Sequence, residues 1–378
     1  MRPDPATTVS HRAWLAAALR GERPVWHGDA TAADELLACA VKEGVAALVH
    51  ANGASNLLPA SIAAEFAAFE RGRVVASLPD HAELVRVVRA LAEARVPTLL
   101  LKGSALGYWL YPSAHLRPRV DTDLLFRDRA SVELGKAALQ PLGYAATDAL
   151  AGVTTGYELS LHRVDANGQT HHIDAHWKLA NLAIFSDALS WDELDAAVIA
   201  LPAIDPVARG LGPVHALLHA CMHRIANLPA EPGSNAHGDR LLWLYDIDLL
   251  ARRFASEDFE SLHRIAIERG IAGTCVDGLR QAQAAFATPL PEDLLRSLED
   301  AARSEAFDIG KANLRWYQEW RNLRAITPRQ RLAWAREKLF PDADYMRGQY
   351  PARGAAGLAW AYLRRIGHGL RIALRRRG

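Results

Sequence analysis

The chain has 378 residues, of which half are apolar and 23% are charged, as is typical of a soluble globular protein with two or three domains. Its formal net charge of +1 gives no overall field that would draw it onto nucleic acid. Three cysteines far apart in the sequence argue against a disulfide framework or a zinc module, and no apolar run reaches membrane-spanning length. The first residues lack a basic start followed by an apolar stretch, so we expect a cytoplasmic protein.

Residues 1–95 are predicted to form a helical segment. One helix is expected to begin after Pro59 and another to run from Pro79 to Arg95. The second has an apolar face formed by Leu84, Val87, Val88 and Leu91. None of these residues indicates a particular chemistry, and we expect the segment to pack beside the following domain.

The next segment, residues 96–205, begins with a predicted buried strand. Thr98–Leu101 is an apolar run of strand length between Pro97 and Gly103. Gly103 and Ser104 then break the strand and can open a helix. The unpaired N–H groups at the start of a helix favour a bound anion.

Asp121 and Asp123 lie two residues apart in what is predicted to be a second strand. Side chains at this spacing project from the same face of a strand, so both carboxylates would meet there. Two neighbouring carboxylates repel each other, and Mg²⁺ bound by carboxylates and substrate phosphates would neutralise them. The alternative is a solvated acidic turn without function.

A β-hairpin is predicted further along the same segment. The strand-like stretches Tyr157–Val164 and Thr170–Trp177 flank a turn that contains Asn167 and Gly168, and Asn-Gly is a strong hairpin signal. The return strand carries Asp174. We expect this strand to lie next to the one that carries the two earlier aspartates.

These motifs together resemble those of a known family. Lys102-Gly103-Ser104, then Tyr111-Pro112, then Arg-Pro-x-x-Asp-x-Asp-Leu-Leu from Arg117 to Leu125 is similar to a family of poorly characterised bacterial nucleotidyltransferases. That family belongs to the DNA-polymerase-beta-like nucleotidyltransferase superfamily. The resemblance implies an α+β fold in which a small mixed-sheet palm is flanked by N- and C-terminal helical domains. It also implies two Mg²⁺ ions, or Mn²⁺ in their place, and an NTP as co-substrate.

The same resemblance assigns roles to the acidic residues. Asp121 and Asp123 would hold both metal ions. Asp174 would be the third carboxylate; it would help to hold the metal that activates the acceptor hydroxyl and would accept the proton of that hydroxyl. Independently of the resemblance, His176 lies two residues from Asp174 in the same predicted strand and is expected to orient that carboxylate.

Five further residues are candidates for binding the nucleotide. Gly103 would let the NTP phosphates approach the backbone, and the hydroxyl and N–H of Ser104 would contact the β- and γ-phosphates. Lys102, Arg117 and Arg119 are candidate phosphate ligands, because guanidinium forks match phosphate oxygens. Arg117 is favoured over Arg119 because the family-like Arg-Pro step falls there. All three could instead be ordinary surface cations.

Residues 206–345 are predicted to form a C-terminal helical domain. His219 and His223 lie four residues apart in a predicted helix, Val214–Ala226, which is a spacing that can bind Zn²⁺. The Glu of a metalloprotease motif is missing between them. We therefore favour a packing role, with His223 paired to Asp246.

The last segment, residues 346–378, is predicted to be a basic amphipathic tail. Arg353–Gly378 contains seven Arg residues and no acidic residue, with Leu363, Ile366, Leu370 and Leu374 at helical spacing. Such segments bind weakly to anionic membrane surfaces. A solvated helix end or a disordered tail would have the same composition.

The sequence therefore predicts a Mg²⁺-dependent enzyme that transfers an NMP from an NTP, ATP being the expected one, to a hydroxyl-type acceptor with release of pyrophosphate. The acceptor could be a small molecule or the side chain of a protein or peptide. The net charge argues against a long nucleic acid, although local basic patches leave that alternative open. Two other readings stay open. One is an inactive protein that only binds a nucleotide, and the other is a helical scaffold.

Overall fold

The computed structural model describes residues 5–26, 28, 30–146, 156–228, 239–339, 343, 346, 350 and 354–375. It has a mixed seven-stranded sheet with helices on both sides, so the predicted class, an α+β fold with a mixed sheet flanked by helical segments, is confirmed. Arg353 and residues 376–378 of the predicted basic tail lie outside the described residues.

The sheet has the strand order β3-β4-β5-β2-β1-β7-β6. Its strands are β1 Thr98–Leu100, β2 Thr122–Phe126, β3 Ala145–Ala146, β4 Glu158–Val164, β5 Thr170–His176, β6 Val198–Ala200 and β7 Arg209–Leu211. The helices before and within the sheet region are α1 Pro5–Leu19, α2 Ala30–Glu43, α3 Ala46–Ala51, α4 Ala60–Glu93, α5 Lys102–Trp109, α6 Arg129–Leu139 and α7 Trp191–Ala196. Those that follow are α8 Pro213–Asn227, α9 Leu241–Ala251, α10 Ser256–Glu268, α11 Ala272–Phe286, α12 Glu292–Ala302, α13 Arg315–Ala325, α14 Pro328–Leu339 and α15 Gly354–Arg375.

The central strands are buried on both faces, and their residues alternate between two hydrophobic cores. Leu99 and Leu125 belong to a core shared with α1, α3, α8, α9 and α11. Leu100 and Leu124 belong to the other core, which α4 and α6 cover. Because side chains alternate along a strand, Asp123 lies on the same face as Leu125, towards the helices of the C-terminal segment.

The predicted hairpin between β4 and β5 is present. The two strands pair antiparallel from Val164 with Thr170 onwards, and the turn between them has Gly168 in the left-handed region at φ 80°. Asp165 Oδ1 accepts hydrogen bonds from the N–H groups of Asn167 and Gln169, which fixes the turn.

The predicted break at Pro79 is absent, because α4 is one helix that contains Pro79. Proline cannot donate to the carbonyl four residues back, here that of Val75. Val75 and Leu78 are both exposed, so water can satisfy that carbonyl, and the helix continues past the proline. The expectation of two separate helices was therefore wrong.

The sheet also extends beyond the predicted strands. β7 lies within residues that were expected to be helical, and it pairs with β1 in parallel at Leu100 and Gly210. A Cβ on Gly210 would lie 3.0 Å from Leu201 and 3.2 Å from Ala105, so glycine allows the close packing there. Strands of three residues are too short to show an alternating pattern in the sequence.

The N-terminal helices pack against the C-terminal helices and share a core with them. Arg12 connects the two segments, since its guanidinium donates to Glu43 and to the backbone carbonyl of Asp239. Among the described residues, no helix is both long and apolar enough to span a membrane.

Candidate active site

The candidate site is built where β1 ends and α5 begins. Lys102, the first residue of α5, has a positive φ of 48°, which is uncommon for a residue with a side chain. The N–H of Leu101 donates to the carbonyl of Asp123 at 3.1 Å, and the N–H of Asp123 donates to Ser104 Oγ at 3.3 Å. The segment between β1 and α5 is therefore hydrogen-bonded to both the carbonyl and the N–H of Asp123.

Asp123 and Asp174 are direct neighbours on the parallel strands β2 and β5. On the other side of β5, Ser160 of β4 is the partner of Asp174, and its hydroxyl donates to Asp174 Oδ1 at 2.8 Å. Ser160, Asp174 and Asp123 thus form a row across three strands. Ligand atoms of Asp123, Asp174 and His176 lie within 4.8 Å of one another.

His176 lies beside this row and is buried. Its Nε2 atom is 3.0 Å from Asp123 Oδ1, so its hydrogen bond goes to Asp123 and not to Asp174, the partner expected from the sequence. Its Nδ1 atom lies 3.3 Å from Glu158 Oε2 but makes no hydrogen bond of acceptable geometry. A buried ring nitrogen without a partner, next to two carboxylates, is a feature that a bound cation or water would complete.

Lys102 supplies a positive charge at the centre of the cluster. Its Nζ atom is 2.6 Å from Asp123 Oδ1, and about a quarter of the side chain is exposed. Burial alone would raise the pKa of Asp123, yet Lys102 and His176 hold that pKa well below its usual range. The charge of Asp123 likewise outweighs burial and raises the pKa of Lys102.

The other two predicted carboxylates are shifted in the opposite direction. Burial and the charge of Asp123 raise the pKa of Asp121 to about 6, with a smaller contribution from Asp174. Burial and the charge of Glu158 raise the pKa of Asp174. Asp121 interacts electrostatically with the other two aspartates but is not part of the close group formed by Asp123, Asp174 and His176. Carboxylate oxygens are the ligands that Mg²⁺ prefers.

Arg117 is buried and its guanidinium is used within the protein. Nε lies 2.8 Å from Asp246 Oδ1, Nη2 lies 2.6 Å from Asp246 Oδ2, and Nη1 donates to the carbonyl of Pro118 at 3.1 Å. Tyr111 also donates to Asp246 at 2.6 Å. The predicted pairing of Asp246 with His223 was therefore wrong.

Arg119 is partly exposed, and Gly103 is buried at the start of α5. Arg119 Nη2 donates to the carbonyl of Asp80 at 3.1 Å. Arg119 Nη1 donates to the carbonyl of Asp121 at 2.8 Å and to Thr122 Oγ1 at 2.6 Å. A Cβ on Gly103 would lie 3.2 Å from Arg119 Cβ and 3.1 Å from Arg117 Nη1. Glycine at 103 therefore lets the loop with the two arginines approach the start of α5.

The two histidines of α8 lie behind Lys102. Burial lowers the pKa of His219 to about 3, and the ring of His223 meets that of Trp243 edge-on. Both residues line a cavity of about 20 Å³ together with Lys102, which is room for a water molecule and not for a nucleobase. A packing role for this pair agrees with the sequence prediction.

Glu158 and Ser160, both on β4, were not singled out from the sequence. Their place in the site follows from the register of the hairpin, which pairs Glu158 with His176 and Ser160 with Asp174 and which the sequence alone does not fix. Asp246, which holds Arg117, lies 129 residues further along the chain and had no such signal.

A mixed sheet with two aspartates side by side on parallel central strands, next to a Lys-Gly-Ser helix start, is the arrangement expected of a nucleotidyltransferase. A family model described as "Uncharacterised nucleotidyltransferase" matches residues 29–324, so the chain belongs to that family. No curated protein matches the chain. Among solved structures, one described as "Crystal structure of putative nucleotidyltransferase from H. pylori" is 16% identical, with a TM-score of 0.30; the match covers 63% of this chain and 96% of that one.

Proposed function

We propose that this protein transfers an NMP from an NTP to a hydroxyl-type acceptor and releases pyrophosphate. The observation that carries the proposal is the register of β2 and β5, which brings Asp123 next to Asp174 beside the start of α5. A transferase of this kind must concentrate negative charge where a cation is needed and leave positive groups for the triphosphate. The cluster meets both requirements.

Asp121, Asp123 and Asp174 are the groups that would hold two divalent cations, Mg²⁺ or Mn²⁺. Cations bound there supply charge neutralisation at the attacking and leaving oxygens of an in-line displacement at phosphorus. Ser160 keeps one oxygen of Asp174 in place through its hydrogen bond. The pKa of Asp174 is raised whereas that of Asp123 is lowered, so Asp174 is better suited than Asp123 to accept the proton of the acceptor hydroxyl.

Lys102, Gly103 and Arg119 are assigned to the phosphates of the NTP, of which ATP is the expected one. Lys102 is partly exposed and can turn from Asp123 towards a phosphate once a cation neutralises Asp123. Ser104 and Arg117 keep the site in shape from buried positions, Ser104 through Asp123 and Arg117 through Asp246. We therefore do not assign their side chains to direct phosphate contact.

The test is a screen of the four NTPs, each labelled at the α-phosphate, with Mg²⁺ and a cell extract as the source of acceptor. We expect label to join an acceptor and pyrophosphate to be released, and mass spectrometry would identify what gained a nucleotide. Nuclease treatment of the extract should leave the acceptor intact, whereas loss of the acceptor would point to a nucleic acid.

Two aspartate variants and a matched control complete this experiment. Asp123→Asn and Asp174→Asn should lower transfer at least about a hundredfold, as expected when a metal ligand loses its charge. Asp300→Asn, at an exposed aspartate in α12, should leave the rate unchanged. Nucleotide binding without pyrophosphate release would show an inactive binding protein, and near-normal rates in either site variant would refute the metal assignment.

A further inference from the structure

The charges of this chain are divided unevenly along the sequence. Residues 313–378 contain 15 of the 44 Lys and Arg residues and only 4 of the 43 Asp and Glu residues. This segment therefore has a formal charge of +11, and residues 1–312 have a formal charge of −10. The net charge of +1 hides this division, which is the pattern of a protein with one basic surface.

The same segment exposes large apolar side chains. Trp360 is 68% exposed, Leu363 is 62% exposed and Leu332 is 75% exposed. Trp316 and Trp320 are exposed as well. Together with Trp360 they are the most exposed tryptophans in the part of the chain that the structure describes. Arg324 lies over the Trp320 ring, 5.1 Å from its centre, so cationic and aromatic groups meet on this surface.

The orientation of α15 leaves two of its bulky residues, Trp360 and Leu363, facing outward. Ala361 is buried, whereas its neighbours Trp360 and Leu363 are exposed. A helix that packs through a small residue and leaves Trp and Leu in solvent is not using its apolar face to build the core. Arg364, the next residue, is also exposed and adds a positive charge beside this apolar surface.

The last three helices are connected to one another. Arg331 of α14 donates to the carbonyls of Leu323, Arg324 and Ile326 at the end of α13. α14 in turn contacts α15. The exposed apolar residues of these three helices and the arginines that the structure describes there therefore belong to one part of the molecule, and we call the exposed residues of α13, α14 and α15 the basic surface.

We propose that the basic surface docks this protein onto an anionic membrane. Tryptophan and arginine side chains are favoured at the boundary between lipid headgroups and acyl chains, and juxtaposed positive charges are attracted to anionic lipids. The exposed Leu332 and Leu363 decide between a lipid and a nucleic acid, because aliphatic side chains gain from burial among acyl chains and do not stack on bases. The acidic remainder of the chain is repelled by an anionic surface, so it would orient the protein with the basic surface towards the lipid.

The experiment is a flotation assay with the full chain and two kinds of vesicle, one of phosphatidylcholine alone and one with about 30% phosphatidylglycerol. We expect the protein to float with the anionic vesicles, to stay behind with the neutral ones and to be released as salt screens the charges. Failure to float with anionic vesicles overturns the proposal. So does tighter binding to a single-stranded RNA than to anionic vesicles at the same salt concentration.

A matched pair of variants tests the apolar part of the surface. Leu363→Glu should lower the vesicle partition coefficient at least about fivefold, because it removes an apolar contact and adds a negative charge. Leu134→Glu, on α6 outside the basic surface, is the control, since Leu134 is also 62% exposed. An equal loss in both variants would show that binding reflects net charge alone and would refute docking through this surface. Circular dichroism and gel filtration of both variants would verify that the fold is kept, and the salt dependence of the unaltered chain tests the charge contribution independently.

Discussion

Lys102 Nζ lies 2.6 Å from Asp123 Oδ1, so the strongest acid of the candidate metal cluster is paired with a cation that belongs to the protein itself. Hydrogen bonds to the backbone of Asp123 keep the two residues close together. The N–H of Leu101 donates to the carbonyl of Asp123, and the N–H of Asp123 donates to the hydroxyl of Ser104. The left-handed backbone of Lys102 fixes where its side chain starts. The Lys102 ammonium neutralises part of the negative charge of the acidic cluster. It therefore also competes with a metal ion for the Asp123 carboxylate.

Replacement of Lys102 by Gln should therefore separate metal binding from catalysis. The variant loses the ammonium group that competes for Asp123, so Mn²⁺ alone should raise its melting temperature more than it raises that of the unaltered protein. Nucleotide transfer should fall at least about tenfold, because the triphosphate loses a positive partner. Differential scanning fluorimetry with Mn²⁺ and a pyrophosphate-release assay measure the two effects.

Lys136→Gln is the control for this variant, since Lys136 is an exposed lysine that lies 3.6 Å from Glu133 in a surface ion pair. It should change neither metal binding nor transfer. If Lys102→Gln bound Mn²⁺ more weakly than the unaltered protein, Lys102 would not be a competitor of the cation at Asp123.

The ion pair between Arg117 and Asp246 should contribute to stability far more than to nucleotide binding. Both side chains are less than a tenth exposed, and Tyr111 donates to the same carboxylate. Asp246→Asn leaves a buried guanidinium without its counter-charge and should lower the free energy of unfolding by about 3–5 kcal/mol. Urea denaturation measures this loss, and a double-mutant cycle with Arg117→Met should give a coupling of about 2 kcal/mol or more.

Arg119→Met is the comparison for Arg117. Arg119 is partly exposed, whereas Arg117 is buried. Replacement of Arg119 should therefore weaken NTP binding, measured by titration calorimetry, and should lower the free energy of unfolding less than Arg117→Met does. Under conditions where both variants are folded, a larger change in the NTP dissociation constant for Arg117→Met than for Arg119→Met would restore Arg117 as the phosphate ligand.

The central sheet could be predicted from the sequence because it depends on local patterns. The apolar run before Lys102 and the spacing of Asp121 and Asp123 are features of short segments, and buried strands bounded by Gly and Pro show them clearly. The hairpin was equally visible from its turn. The register of the hairpin could not be predicted in the same way. A two-residue turn at Asn167 and Gly168, which the sequence suggests, would place Leu161 opposite Asp174. The actual turn is longer and places Ser160 there.

Other parts of the site depend on contacts between distant segments. Arg117 has the local context of a phosphate ligand, and only the packing of α9 against its loop turns it into the buried partner of Asp246. Pro79 is a local signal that does not end the helix, because the neighbouring residues are exposed and water can satisfy the carbonyl of Val75. A single sequence carries no information on which distant side chain will satisfy a buried charge.

The close approach at Gly103 gives a third prediction. Gly103→Ala would place a Cβ 3.2 Å from Arg119 Cβ, so the loop must move by a few tenths of an ångström. We expect the displacement of Arg119 to weaken NTP binding about threefold to tenfold and to cancel the gain that alanine normally brings to a helix. Titration calorimetry and urea denaturation measure the two effects.

Gly72→Ala is the matched control, because Gly72 lies within α4 and a Cβ there meets nothing within 4 Å. It should stabilise the protein by about 0.5–1 kcal/mol. If Gly103→Ala stabilised the protein equally and left NTP binding unchanged, the glycine would have no role in positioning the arginine loop.

His219 gives a prediction for the pH dependence of stability. Burial lowers its pKa to about 3, with Lys102 and His176 acting in the same direction and Asp123 and a hydrogen bond to the backbone of Leu179 opposing them. As the pH falls, His219 takes up a proton near pH 6.5 in the unfolded chain but only near pH 3 in the folded protein. The neutral His219 therefore contributes fully to the free energy of unfolding above about pH 6.5, and this contribution is lost as the pH falls towards 3.

Comparison with His219→Gln tests this sign, because glutamine can keep a hydrogen-bond donor but does not titrate. Between pH 8 and pH 5, the unaltered protein should lose about 2 kcal/mol more of its unfolding free energy than the variant loses, as measured by urea denaturation at each pH. Parallel pH curves for the two proteins would show that His219 is not held neutral in the fold, and a steeper curve for the variant would reverse the predicted sign.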